Sequence, residues 1–330
     1  MSGALALTWL DHRRTKELCA GLDIELLVLT TKLRGALRYL VLNARTLALL
    51  ARRRPEVLLV QNPSLILAAL AVAARGVLGY RLIVDAHNEA VVPFINRQWW
   101  VARLSRWVIR RADLTIVTNR QLAEVVERCG GRPFTLPDRI PAPPWAPARA
   151  LSGAFNVVLI ATFAPDEPVA EVLDAVRGTE IELYVTGDHG KLDQSIVATV
   201  PANVRFTGFL NDEDYWTLLR SADAIVDLTL MDDCLVCGAY EALALGKPML
   251  LSNNSASVEL FGDSAVFTNN TATDIRQALE RLRLERVRLQ AAAERKRSEL
   301  AELWTGSARA LGELVAGSRR SARAGGGLVN

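Results

Sequence analysis

The 330-residue chain is half apolar, carries 39 Lys and Arg against 36 Asp and Glu, and contains four cysteines. Its length suits two cores of about 150 residues each, and four scattered cysteines exclude a disulfide scaffold. The net charge of +3 conceals an asymmetry: residues 1–150 hold 22 basic and 11 acidic groups (+11), and residues 151–330 hold 17 and 25 (−8). A basic amino-terminal half points to an anionic ligand or surface.

Apolar strands alternate with helical periodicities along the chain. Residues 4–9 predict a strand, 12–21 a helix, 24–30 a strand and 33–53 a long basic helix. A strand at 56–60, a helix at 64–75, a strand at 81–85, a helix over about 97–111, a strand at 114–118 and a helix at 120–129 follow. Residues 137–150 (PDRIPAPPWAPARA) hold five prolines and predict an interdomain linker. The pattern then restarts, with strands at 155–161, 181–186, 204–207, 224–228 and 248–251. A charged helical region runs from about 271 to about 316, and the small, basic end GSRRSARAGGGLVN predicts disorder. Such βα alternation makes parallel sheets with helices on both faces, whose ligands bind beyond the carboxyl ends of the strands.

The opening ALALTWLDHRR places its charges after an apolar run too short for a signal peptide. Residues 56–74 come closest to a bilayer span, but Gln61, Asn62 and Pro63 divide them. The sequence predicts a soluble or peripheral protein. Cys234 and Cys237 form a C-x-x-C, but no second pair or nearby histidine completes a tetrahedral metal set. They read as reduced packing residues of a cytoplasmic protein.

The most informative stretch is DDCLVCGAYEALALGKP, residues 232–248. Asp233 and Glu241 are separated by seven residues, with a small flexible turn around Gly238 between them and a helical run after them. A strand-to-helix junction of this kind turns free backbone N–H groups outward, where an anion binds. Two carboxylates so spaced can hold two ends of one polar ligand; a capped helix with a solvated Glu is the plainer reading. The segment resembles the donor-site signature of GT-B glycosyltransferases of the retaining family 4 type: an acid, seven residues, a Glu and an A-x-A-x-G-x-P run. Here these are Asp233, Glu241, Ala242, Ala244, Gly246 and Pro248. The family's first acid is usually Glu, so Asp233 is one methylene shorter. Looser resemblance covers 155–280, including Tyr184–Asp188, Val204–Leu210 and Ser221–Val226.

The resemblance implies a GT-B fold: two Rossmann-like, doubly wound parallel-sheet domains facing a cleft. The acceptor domain would be residues 1–140, the linker 141–152 and the donor domain 153–298. Residues 299–316 would form a helix crossing back to the first domain, and 317–330 a disordered basic tail. It implies transfer of a hexose-type sugar from a nucleotide-sugar to a lipid-linked or other saccharide acceptor in polysaccharide or glycoconjugate assembly. Glu241 would hold the ribose and Asp233 the sugar, while amides near Cys237 and Gly238 face the phosphates. The Gly187 and Gly208 loops would admit the donor backbone-close. His87, after a strand, matches a histidine that contacts the transferred sugar. Retaining transfer needs no enzyme nucleophile; inverting transfer needs a base, and Asp11 or His12 after the first strand is the candidate. A loop histidine, and Asp11 as a helix cap, are the plainer alternatives.

One departure stands out. The family's first carboxyl-terminal loop usually carries an Arg and a Lys that clamp the donor diphosphate, whereas ATFAPDEP offers Thr162, Asp166 and Glu167. Lys191, Arg139 or the helix end at Gly238 would then serve, or the donor is unusual. No metal or other cofactor is implied. A nucleotide-sugar epimerase and a non-catalytic GT-B subunit remain alternatives.

Finally, Trp99, Trp100 and Trp107 interleave with Arg97, Arg103, Arg106, Arg110 and Arg111. Aromatics and arginines on one helix suit an anionic membrane surface, supported by the earlier basic helix with Arg34, Arg38 and Arg45. Core packing and nucleic-acid stacking are the alternatives, and no nucleic-acid module signature appears. The expected location is the inner face of the plasma membrane, reached from the cytoplasm.

Overall fold

The computed structural model describes residues 3–62, 64–92, 98–192 and 199–325, with side chains to 316. Pro63, Arg97 and the last five residues of the expected tail lie outside the described residues. The chain divides into two compact units, one of residues 1–139 with 302–330 and the other of Ile140–Ala301.

The first unit is built on six parallel strands, β1 (Ala4–Thr8), β2 (Glu25–Val28), β3 (Val57–Asn62), β4 (Arg81–Ala86), β5 (Leu114–Val117) and β6 (Pro133–Thr135), in the order β2-β1-β3-β4-β5-β6. Its helices are α1 (Arg13–Leu22), α2 (Gly35–Arg53), α3 (Leu65–Leu78), α4 (Asn88–Val91), α5 (Trp99–Arg111) and α6 (Arg120–Arg128). Side chains alternate across a strand, so one sequence supplies two cores. Leu5, Leu58, Val60 and Val84 face α2, α3, α5 and α6. Ala4, Leu59, Ile83 and Ile116 face α1 and the end of the chain's last helix.

The second unit has six parallel strands, β7 (Phe155–Leu159), β8 (Ile181–Thr186), β9 (Val204–Gly208), β10 (Ala224–Asp227), β11 (Met249–Ser252) and β12 (Ala265–Thr268), in the order β12-β11-β10-β7-β8-β9. Its helices are α7 (Val169–Val176), α8 (Asp212–Ser221), α9 (Cys237–Leu245), α10 (Ser255–Phe261) and α11 (Ala272–Leu284). Val157, Leu183 and Val226 pack on α7 and α11, while Val158, Ile225 and Met249 pack on α8, α9 and α10. Both sheets are doubly wound and wholly parallel, as the βα alternation predicts.

Three expectations change. The proline-rich segment has no helix or strand, yet it is not a detached linker: Ala146 is buried and Ile140 and Leu151 pack on the second unit's core. The last helix, α12 (Arg286–Gly325), continues well past residue 316, so the basic tail begins helical. Gly238 lies inside helix α9, not in a flexible turn, and the left-handed residue that ends the helix is Gly246, at φ +62°.

Candidate functional site

In the second sheet, strand order reverses between β7 and β10, the point where a parallel α/β sheet opens a binding crevice. The loops after β7, β8, β9 and β10 carry the expected donor residues. Gly187 has φ +90°, and a Cβ there would stand 2.1 Å from the Ala161 carbonyl oxygen. Only glycine lets these two loops meet backbone to backbone. The Gly187 amide also donates to the Gly208 carbonyl at 3.2 Å, and Lys191 Nζ donates to the Thr162 carbonyl at 3.0 Å. Thr162, Gly187, Lys191 and Gly208 are thereby drawn together.

The β7 loop holds the feature that sequence reading missed. Phe163 adopts φ +57°, which turns the successive amides of Thr162 and Phe163 to one side as an anion nest. The nest is filled from within. Glu167 accepts from the Thr162 amide at 2.9 Å, the Thr162 hydroxyl at 2.6 Å and the Phe163 amide at 2.7 Å. In the loop where the family places its basic clamp, this chain sets a carboxylate on the backbone donors.

A similar substitution occurs at α9. The Gly238 amide, expected to face a phosphate, donates to Asp227 Oδ2 at 2.7 Å, and a Cβ at Gly238 would come within 2.5 Å of that oxygen. Burial pushes the Asp227 carboxyl well above the usual carboxylate range; the bond from Gly238 opposes this, and Glu241, Glu167 and Asp166 reinforce it. Asp227 follows the SADAIV run and ends β10, a strand-end acid next to a predicted ligand loop. That position was its only signal.

Glu241, one turn into α9, is 7% exposed and accepts a 2.6 Å hydrogen bond from Tyr215 Oη on α8. Burial, and then the Glu241 carboxylate itself, raise the Tyr215 pKa, keeping the phenol a donor. Asp233 sits four residues before the helix, half-buried, at φ +54°, and accepts from the Ser255 hydroxyl. Asp166 accepts from Thr229 Oγ1 at 2.7 Å, tying the β7 loop to the β10 loop. Of the C-x-x-C pair, both reduced, Cys234 is half-buried but Cys237 is exposed at the first turn of α9, which corrects the packing reading for Cys237.

In the first unit the order reverses between β1 and β3. His12, after β1, and His87, after β4, meet edge to face with ring centroids 4.8 Å apart. Gln61 at the end of β3 accepts from Thr8 Oγ1 at 2.7 Å and turns its Nε2 to His87 Nε2 at 3.2 Å. An amide nitrogen has only hydrogens to give, so the facing ring nitrogen is unprotonated. Burial lowers both histidine pKa values; Arg14 lowers them further, and Asp85 and Asp138 oppose. Both rings are held toward the neutral form. His12 Nδ1 is buried without a hydrogen-bond partner among the described residues. Asp11 is exposed and pairs with Lys16 at 2.6 Å; it is not the cap of α1, since His12 holds that position.

Asp85, in the same rim segment as His87, is committed elsewhere. The fully buried carboxylate receives Arg14 Nη2 at 3.0 Å and Nε at 3.1 Å, and Arg14 also binds Asp138 and the Leu136 carbonyl. Burial works against the Arg14 charge, but Asp85 and Asp138 more than offset it and raise its pKa. On α5, Trp99, Trp100, Arg103, Arg106, Trp107 and Arg110 are all exposed, while Ser105, Val108 and Ile109 turn inward. Core packing of these tryptophans is thereby excluded.

No curated protein sequence matches the chain. Two family profiles do: a glycosyl transferase 4-like domain over residues 12–143 and glycosyl transferases group 1 over residues 152–299. Among solved structures, HepE of Anabaena in complex with UDP-glucose is similar at 14% identity and TM-score 0.71, covering 96% of this chain and 91% of that one. Sucrose-phosphate synthase from Thermosynechococcus elongatus is similar at 14% identity and TM-score 0.79, covering 96% and 99%. A glycosyltransferase from Rickettsia africae is similar at 9% identity and TM-score 0.66, covering 95% and 98%. At these identities the structural likeness carries the fold, and the two matched profiles carry the family. With glycosyl transferase profiles matched over both halves of the sequence, on two doubly wound sheets, the chain belongs to the GT-B glycosyltransferases of the family-4-like type.

Proposed function

We propose that this glycosyltransferase moves a hexose-type sugar, with retention, from a nucleotide-sugar to a lipid-linked saccharide. The observation that carries the donor half is Glu241, a buried carboxylate at the carboxyl rim of the second sheet, held by Tyr215 at 2.6 Å. A carboxylate so oriented accepts from paired ribose hydroxyls. HepE, similar in fold, has been solved with UDP-glucose, which supports a nucleotide-sugar donor here. In this reading Asp233 contacts the sugar and neutral His87 its hydroxyls. The leaving phosphate takes the acceptor proton, so transfer needs no covalent enzyme intermediate. Under inversion, His12 with its unpartnered Nδ1 is the better base than Asp11, which Lys16 engages.

A second reading is favoured by the Glu167 nest: a non-catalytic subunit that keeps the fold but fills its own diphosphate donors. One assay separates these two and an epimerase. Nucleotide release from UDP-glucose and related donors is measured with and without a polyprenyl-linked acceptor. Acceptor-dependent release supports the transferase. Release of an altered free sugar without acceptor supports an epimerase, and no release with any donor supports the non-catalytic subunit.

A further inference from the structure

We propose that the outer face formed by α2, α3 and α5 is the surface on which this protein docks to an anionic phospholipid bilayer. The three helices share one side of the first sheet. Leu42 and Leu50 of α2, Leu67 and Ala71 of α3, and Val108 and Ile109 of α5 belong to one core. Helix α3 touches both neighbours, and Trp107 and Arg111 of α5 line one concavity with Val72, Ala73 and Arg75 of α3.

What these helices turn outward is unusual in two respects. On α2, Leu37, Leu40, Ala44 and Leu47 recur every three or four residues on the solvent side, with Leu37 60% and Leu40 65% exposed. On α5, Trp99 is 72% and Trp100 52% exposed. Charge is the second respect. Across α2, α3 and α5 there are nine arginines (38, 45, 52, 53, 75, 103, 106, 110 and 111) and no Asp or Glu. Helices α1 and α6 of the same unit carry Glu17, Glu124 and Glu127. Among the described residues, carboxylates pair with only two of the nine, Glu25 with Arg53 and Asp113 with Arg75.

An apolar stripe on α2 and exposed tryptophans on α5, both among cations, match the chemistry of a bilayer surface: acyl chains take the leucines, the headgroup level takes the indoles, and anionic phosphates take the guanidinium groups. Other occupants fit less well. A second copy of the same face would set arginines against arginines, seven on each side without a carboxylate partner among the described residues. A nucleic acid offers nothing to bury Leu37 and Leu40. For an enzyme with a lipid-linked acceptor the face would also hold the first unit against its substrate's membrane, but docking itself does not depend on that activity.

The test is sedimentation of the full-length chain with phosphatidylcholine vesicles, with and without phosphatidylglycerol, over a salt series. Binding should require the anionic lipid and weaken steeply as the Debye length shrinks from about 10 Å at 0.1 M to about 3 Å at 1 M. Each arginine near the surface is worth about fivefold in binding, so replacing Arg103, Arg106 and Arg110 by Ala should reduce it on the order of a hundredfold. Leu37→Glu with Leu40→Glu, both exposed, should remove what survives at high salt. Arg295→Glu with Arg297→Glu in the second unit should change little. Quenching of wild-type tryptophan fluorescence by brominated lipid checks insertion without any variant. A wild-type chain left in the supernatant at low salt overturns the proposal, as does equal binding to neutral vesicles. So does equal loss in the second-unit variant, or retention of duplex RNA without any vesicle binding.

Discussion

At the rim of the second sheet two carboxylates hold donors that a ligand phosphate would use: Glu167 takes the Thr162 and Phe163 amides, and Asp227 takes the Gly238 amide. A diphosphate must displace Glu167 or bind against its charge. Glu167→Gln keeps the shape and removes the charge, so UDP affinity should rise roughly tenfold by titration calorimetry; unchanged or weaker binding would show that the nest lies off the donor's path. Glu241→Ala should instead weaken UDP by about 1.5–3 kcal/mol, the worth of a charge-assisted hydrogen bond. Unaltered affinity would remove Glu241 from the ribose. Asp233→Asn should depress turnover more than nucleotide binding, because it is assigned to the sugar.

At the scale of elements, α1 packs tightly against the middle of α12. A Cβ on Gly21 would stand 2.3 Å from the Trp304 ring, and Arg139 covers that ring at 5.0 Å. Glycine at 21 is set by the partner helix, not by its own backbone. Gly21→Ala should therefore destabilise by about 1–3 kcal/mol through overpacking, and Trp304→Ala by about 3–5 kcal/mol. Once the ring is gone, Ala at 21 has room and regains its helical advantage of up to about 1 kcal/mol. The double variant should then be no less stable than Trp304→Ala alone in urea unfolding. Additive losses would mean that the two residues act separately.

For the molecule as a whole, the buried histidines of the first unit and Asp227 of the second titrate with opposite effects on stability. In the first unit, His12 and His87 have folded pKa values below the ordinary 6.5. The unfolded chain binds more protons just below that pH, so stability is lost as pH falls from about 6.5 through the folded values. In the second unit, Asp227 is raised above its ordinary 3.8, so stability present in acid is lost as pH rises through its folded value. Melting curves over a pH series should show both slopes. His87→Gln should flatten the first and Asp227→Asn the second. A loss on acidification from about pH 7 to about pH 5 that is the same in His87→Gln as in the wild type would count against the buried neutral histidine.

The sequence alone determined the layered α/β class, because short apolar runs such as VLLV at 57–60, alternating with helical periodicities, fit strands buried on both faces. It also determined the donor motif, since Asp233, Glu241, Gly246 and Pro248 are local in the chain. It missed β6, α4 and β12, of three or four residues each, too short to express a period. What only the tertiary structure decided is how distant rim residues pair. His12 meets His87, Arg14 is drawn from the charged HRR run into a buried bond with Asp85, and Asp227 reaches Gly238. Even Glu167 and Thr162, five residues apart, meet only because Phe163 takes a left-handed turn that the sequence gives no reason to expect. Periodicity says which face of an element is apolar. Which polar side chains meet at the strand ends depends on strand order and on the loops between, and those are fixed by the packing of whole sheets.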